Sequence, residues 1–185
     1  MDKAPDSSAA FAAAIDEQVK HLLQTRAMFP TISADMVGAT QASTASYYQA
    51  MGFQIEFKFS PSLTSEAIER TNAIGHWINQ NFCVRLYSTM ESYQMVSETI
   101  KIRAELEGAD ELDILRRLRN EFAHGSGWHD PHDGEHRKLR ERIIQHFGVR
   151  DADLPEATNL FPIPIDRVLV PMGAKCKAYG VAFLK

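Results

Sequence analysis

Arg119, Asn120 and His124 are the side chains in this sequence whose types and spacing best suit chemistry. An imidazole near neutrality can take or return a proton, and a guanidinium makes a two-pronged contact to a phosphate oxyanion. These are the parts needed to break a phosphodiester bond without a metal ion. A base takes the proton of an attacking hydroxyl, an acid protonates the leaving oxygen, and positive charge steadies the phosphorane. Asn120 and His124 are one turn apart and share a face. Arg119 and His124 fall about 140° apart around an ideal helix at ~100° per residue, so one helix should not bring them to one phosphate. Either the helix stops before His124 or two copies of the segment come together. The plain alternative is a solvated helix face, with Arg119 paired to a carboxylate and His124 capping the terminal carbonyls.

The element that must position these groups is the segment from Glu111 to His124. Leu112, Leu115, Leu118 and Phe122 recur at helical spacing and predict an amphipathic helix, with Asp113, Arg116, Arg117, Asn120 and His124 on its other side. Asp110 is its expected N-cap, and Gly125-Ser126-Gly127 its expected stop.

The run Leu118-Arg119-Asn120-Glu121-Phe122-Ala123-His124-Gly125 resembles the signature of the HEPN superfamily (higher eukaryotes and prokaryotes nucleotide-binding domains), of the Arg-x4-His type with a polar residue after the Arg. The resemblance covers roughly residues 62–148. It implies an antiparallel helical bundle and a homodimer whose two motifs line a shared cleft. It further implies that Arg119 binds and polarises a phosphate, that His124 transfers the proton and that Asn120 orients one or the other. An acidic residue on the preceding long helix often holds the Arg or His, and Glu91 is the candidate. The implied activity is endoribonuclease action by 2′-hydroxyl attack, with no cofactor, in a toxin–antitoxin or phage-defence setting. A minimal nucleotidyltransferase is the kind of antitoxin such systems pair with it. Other members of the superfamily are non-catalytic modules that bind nucleotide, RNA or a partner protein.

Around the motif, Arg116, Arg117, Arg137 and Arg140 are candidates for RNA backbone contacts, and Arg137, Lys138, Arg140 and Arg142 form a basic run interleaved with Leu139 and Ile143. His129 or Trp128 can stack on a base. His129, His132 and His136, with Asp130, Asp133 and Glu135, raise the question of a metal. Without a cysteine or an established ligand spacing, the expectation is that none binds.

The chain has 185 residues, enough for one domain with extensions. Its 44% hydrophobic and 24% charged residues are those of an ordinary globular protein. A net charge of −4 speaks against a protein that coats nucleic acid indiscriminately. Residues 116–150, however, hold eight Lys/Arg against five Asp/Glu, a confined basic zone on an acidic chain. Cys83 and Cys176 form no metal or redox spacing and are expected to be reduced thiols of a cytoplasmic protein. The first residues do not read as a signal peptide, and no apolar run approaches the ~20 residues that span a bilayer.

The fold expected is mainly α, with a small accessory sheet built from flanking segments. Residues 1–61 read as an N-terminal helix and strand extension, 62–148 as the helical core and 149–185 as a C-terminal extension with two short strands. Residues 1–7 are expected to be disordered. A first helix is expected from Ser8 to Met28, and Asp35 can cap a weak helix reaching toward Met51. The alternation Phe53-Gln54-Ile55-Glu56-Phe57-Lys58-Phe59 predicts a strand, and Ile163–Val170 and Tyr179–Leu184 are its expected partners. A long helix is expected from Thr64 or Ser65, with Ser65 as N-cap, to about Val96. Ile74, Ile78, Phe82, Leu86 and Met90 form its ridge, and Trp77, Val84 and Tyr87 widen it toward burial on more than one side. A short helix is expected over Ser97–Leu106, and a last core helix ends at Phe147-Gly148, capped by Asp130 ahead of Pro131 or by Asp133.

Overall fold

Six α-helices and one two-stranded antiparallel sheet make up the described residues of the computed structural model, namely 7–97, 99–124, 127–150, 153–154 and 160–185. The expected disorder of the N-terminus and the expected stop at Gly125-Ser126 fall outside them, apart from Ser7 and Gly127. The helices are α1 (Ser7–Met28), α2 (Ser46–Ala50), α3 (Ser65–Ser92), α4 (Ala109–His124), α5 (Gly134–Phe147) and α6 (Val170–Phe183). A π turn at Ile165–Leu169 leads directly into α6. Contacts divide the chain into two compact units, Val19–Asn79 in one and Met1–Gln18 with Gln80–Lys185 in the other, and α1 and α3 each contribute to both.

In the larger unit, α3 buries Phe82, Cys83, Leu86, Tyr87 and Met90, and α4 buries Leu112, Ile114, Leu115 and Leu118. Leu139 and Ile143 cover them from α5, and Met172, Cys176 and Tyr179 from α6. The α4 stripe therefore points inward as its spacing predicts, which leaves Arg116, Asn120 and His124 exposed. One ion pair and two polar contacts join α4 to α5: Asp113 to Arg142 at 2.6 Å, with Glu111 to His146 at 3.0 Å and Glu121 to His136 at 2.8 Å. Burial alone would raise the Asp113 carboxyl, but hydrogen bonds from Arg142 and Arg116 outweigh it and hold the group below its ordinary range.

The C-terminal segment overturns the expectation of strands at 163–170 and 179–184. It is helical from Ile165 to Phe183, and Ile165, Val168, Leu169, Met172, Cys176 and Tyr179 bury one helical face. Pro171 accounts for the π turn before it, since a proline ring crowds the carbonyl four residues back and relaxes into a wider turn.

In the smaller unit, the strand signal survives only as β2 (Glu56–Lys58). Its partner is β1 (Gln41–Ser43), in register Gln41 with Lys58 and Ser43 with Glu56, rather than a C-terminal strand. The expected helix from Asp35 to Met51 is instead a 3-10 turn at Ala34–Met36, then β1, then α2. Ile74 and Trp77 are exposed, Trp77 by 62%, so the wide ridge of α3 is not buried on every side.

Helix boundaries shift for local reasons. Thr64, not Ser65, caps α3 by accepting from the Ala67 N–H at 3.2 Å. Asp133 wins over Asp130 at α5, accepting from the Glu135 and His136 N–H groups at 2.7 and 3.1 Å. Asp110 lies inside the first turn of α4 rather than capping it. Gly108 before it has φ +91°, and a Cβ there would strike the Lys175 carbonyl. The short helix expected over 97–106 is a loop among the described residues. Ser97 Oγ accepts from Thr99 and Ile100 N–H, and the Arg103 N–H donates to the Tyr179 hydroxyl at 2.9 Å.

Candidate active site

The end of α4 brings Arg119, Asn120 and His124 together. Arg119 Nη1 lies 3.1 Å from His124 Nε2 and donates to Asn120 Oδ1 at 3.2 Å. The two side chains thus meet although an ideal-helix projection sets them about 140° apart. The arginine stem is long enough to run along the helix surface and cover the angle, and the contact needs no second copy of the chain. A guanidinium can only donate, so His124 Nε2 is the acceptor and the ring proton sits on Nδ1.

Two residues of α3 hold the arginine from behind. Glu91 Oε2 lies 4.0 Å from Arg119 Nη2, and the Arg119 guanidinium carbon sits 5.6 Å from the centre of the Tyr87 ring. Burial first, then the Glu91 charge, raises the Tyr87 phenol, which stays protonated. Arg119 Nε is buried and has no hydrogen-bond partner among the described residues. Sequence reasoning assigned Tyr87 to the core ridge, and its ring is indeed buried, but its role under Arg119 depends on the crossing of two helices.

The chain after the motif is tied down at three points. The Gly127 carbonyl accepts from Gln80 Nε2 at 3.1 Å, Trp128 forms a β-bridge with Leu160, and the His129 ring packs edge-on against Phe161 at 5.5 Å between centroids. Phe161 also meets Phe122 at 6.1 Å and His136 at 5.6 Å, which makes it the hub of this corner. Nothing in the sequence marks it, because it stands alone in a stretch without periodicity.

His129 is 4% exposed and its ring is not open to a base, whereas Trp128 is 49% exposed. Arg116 and Arg117 are drawn to Asp113 at 2.6 and 3.5 Å, and Arg117 also reaches Glu135 at 3.8 Å. Arg137 is exposed and Arg140 is half-buried with its Nε covered, so the four arginines do not form one basic strip. His136 uses both nitrogens within the protein: Nδ1 accepts from the Asp130 N–H at 3.0 Å and Nε2 meets Glu121 at 2.8 Å. Among the described residues, no group of three or more His, Cys, Asp or Glu is placed to hold a metal ion.

Cys83 and Cys176 are free and fully buried, and desolvation pushes the Cys83 thiol up to about 12. Neither is a nucleophile at neutral pH. No described helix is long and apolar enough to cross a membrane. No family model, no curated protein and no solved structure matches the chain.

Proposed function

We propose that the chain is a metal-independent endoribonuclease of the HEPN type, with Arg119, Asn120 and His124 as its catalytic residues. The observation that carries this reading is the contact between Arg119 and His124 at the exposed end of a rigid helix, backed by Glu91 and Tyr87. An arriving phosphate competes for the guanidinium and draws it off the imidazole. His124 Nε2 then takes the proton of the 2′-hydroxyl, the 2′-oxygen attacks phosphorus, and Arg119 steadies the charge on the phosphorane. Departure of the 5′-oxygen leaves a 2′,3′-cyclic phosphate and requires a proton, which a second His124 from another copy of the chain would supply. The homodimer with a shared cleft thus belongs to the proposal, as do a cytoplasmic toxin or phage-defence role and a neutralising partner such as a minimal nucleotidyltransferase.

A non-catalytic HEPN module that binds nucleotide, RNA or a partner protein is the second reading. The same hydrogen bond favours it, since an Nε2 already covered by Arg119 is withheld from a hydroxyl. Incubation of wild type and His124→Ala with RNA, with and without EDTA, separates the two. Cleavage should survive the chelator, leave cyclic phosphate ends and fall by at least about 10²-fold in the variant. Binding without cleavage supports the module, and undiminished cleavage by His124→Ala refutes the assignment of the base.

A further inference from the structure

A cavity of about 500 Å³ opens beside the candidate active site, between α3, the loop before α4 and the first two turns of α4. Tyr87 belongs to both, supporting Arg119 and lining the cavity. Arg116 lines it too, one turn before Asn120 on α4, a rise of about 6 Å. Asp110, at the far end of the same wall, precedes Arg119 by a rise of about 13 Å, so a polymer with a phosphate at Arg119 and His124 reaches it beyond its next unit.

The walls differ in character. Val96, Ile100 and Ile102 provide an aliphatic side from the loop, and Lys101, Asp110 and Arg116 a charged one. Lys101 has no hydrogen bond or ion pair among the described residues, so its charge is open to a ligand. Asp113 is saturated by Arg116 and Arg142, both at 2.6 Å. Asp110 is not: its carboxylate is 77% exposed and reaches Arg142 only at 3.5 Å. It is the acceptor left over, at the mouth of a space large enough for a small-molecule ligand.

We propose that this cavity seats a nucleobase of the RNA chain one or two units from the scissile phosphate, with the aliphatic wall against the flat face and Asp110 accepting from an exocyclic amino group. Lys101 faces the adjoining phosphate. The inference rests on the ribonuclease reading for the identity of its neighbour but makes a separate claim about binding. It assigns the site a preference for adenine, cytosine or guanine over uracil, because only those three carry an amino group on the ring.

Binding of the four ribonucleoside 3′-monophosphates and of inorganic phosphate is measured by calorimetry on full-length His124→Ala, which cannot turn them over. The three amino-bearing nucleotides should bind more tightly than the uridine nucleotide and than phosphate. Ala104→Phe, which places a ring into the cavity from an exposed turn, should weaken them about tenfold or more. Asp110→Ala, which removes the acceptor, should erase the preference over uridine, and circular dichroism checks that both variants are folded. Failure of every nucleotide to bind, or affinities untouched by Ala104→Phe, overturns the proposal. So does phosphate binding as tightly as the nucleotides and gaining from Asp110→Ala, since that describes an anion site. Cleavage of RNA by the wild type is scored separately. Cleavage with no effect of the cavity variants sinks this inference alone, and nucleotide binding without cleavage sinks the enzyme reading alone.

Discussion

Arg119 does several things with one planar group. Nη1 serves both His124 Nε2 and Asn120 Oδ1, Nη2 turns to Glu91, and the flat face lies toward Tyr87. A lysine keeps the charge but has neither the fork nor the face. Arg119→Lys should therefore fold normally, because the arginine side chain is still 26% exposed and its one contact to a buried side chain, over the Tyr87 ring at 5.6 Å, is lost without opening a cavity. Its RNA cleavage rate should drop by on the order of 10²-fold, as for loss of a preorganised oxyanion contact. Initial rates on a defined oligonucleotide, with thermal melts of both proteins, check this; a lysine variant cutting at the wild-type rate would reduce Arg119 to a salt-bridge residue. At this scale the sequence was informative about types and poor about distances. Arg119, Asn120 and His124 could be named from the resemblance of the run that holds them, but their convergence could not, because an ideal-helix projection ignores how far an arginine stem travels. Phe161 and Tyr87 could not be singled out at all, since an aromatic ring in the core and one that positions a loop look the same in sequence.

Helix α4 was legible because its apolar stripe and polar face alternate cleanly, and a marginal helix gains most of its stability from such a face. The C-terminal segment was not. Its Ile, Val, Leu and Tyr residues resemble short strands, and Pro171, Gly173 and Gly180 weigh against a helix on propensity. Ile165, Val168, Leu169, Met172, Cys176 and Tyr179 nevertheless recur at helical intervals, and that period decided the outcome. The glycines serve close packing: a Cβ on Gly180 would run into the Phe11 ring and the Met95 methyl, both fully buried. Gly180→Ala should thus cost about 1–3 kcal/mol through overpacking, although alanine is the better helix former. Urea unfolding measures it, and a variant as stable as wild type would mean that Phe11 and Met95 have room to move. Strand pairing was hidden for the opposite reason. Gln41-Ala42-Ser43 carries no β signal of its own and is a strand only because Glu56-Phe57-Lys58 needs a partner.

On the scale of the whole chain, the two compact units differ in how they bury charge. The larger one matches the half-buried Asp113 with Arg142. The unit Val19–Asn79 instead holds Arg26 at 3% exposure, its amino groups donating to the Phe29 carbonyl at 2.6 Å and Thr31 Oγ1 at 2.8 Å. Its guanidinium occupies the space where a side chain on Gly75 would stand, beside His76. Burial first, and the Arg26 charge second, press the His76 imidazole down to about 4. The unfolded chain takes up this proton near pH 6.5 and the folded one only near pH 4. Stability from His76 is therefore complete above pH 6.5 and declines as pH falls toward 4, by up to about 1.4 kcal/mol per pH unit. His76→Gln cannot titrate, so its stability should fall less than that of wild type between pH 7 and pH 4.5. Hydrogen exchange at the lower pH should show the wild-type excess opening within residues 19–79. Two unfolding curves that shift in parallel across this interval would mean that the acid sensitivity does not arise at His76.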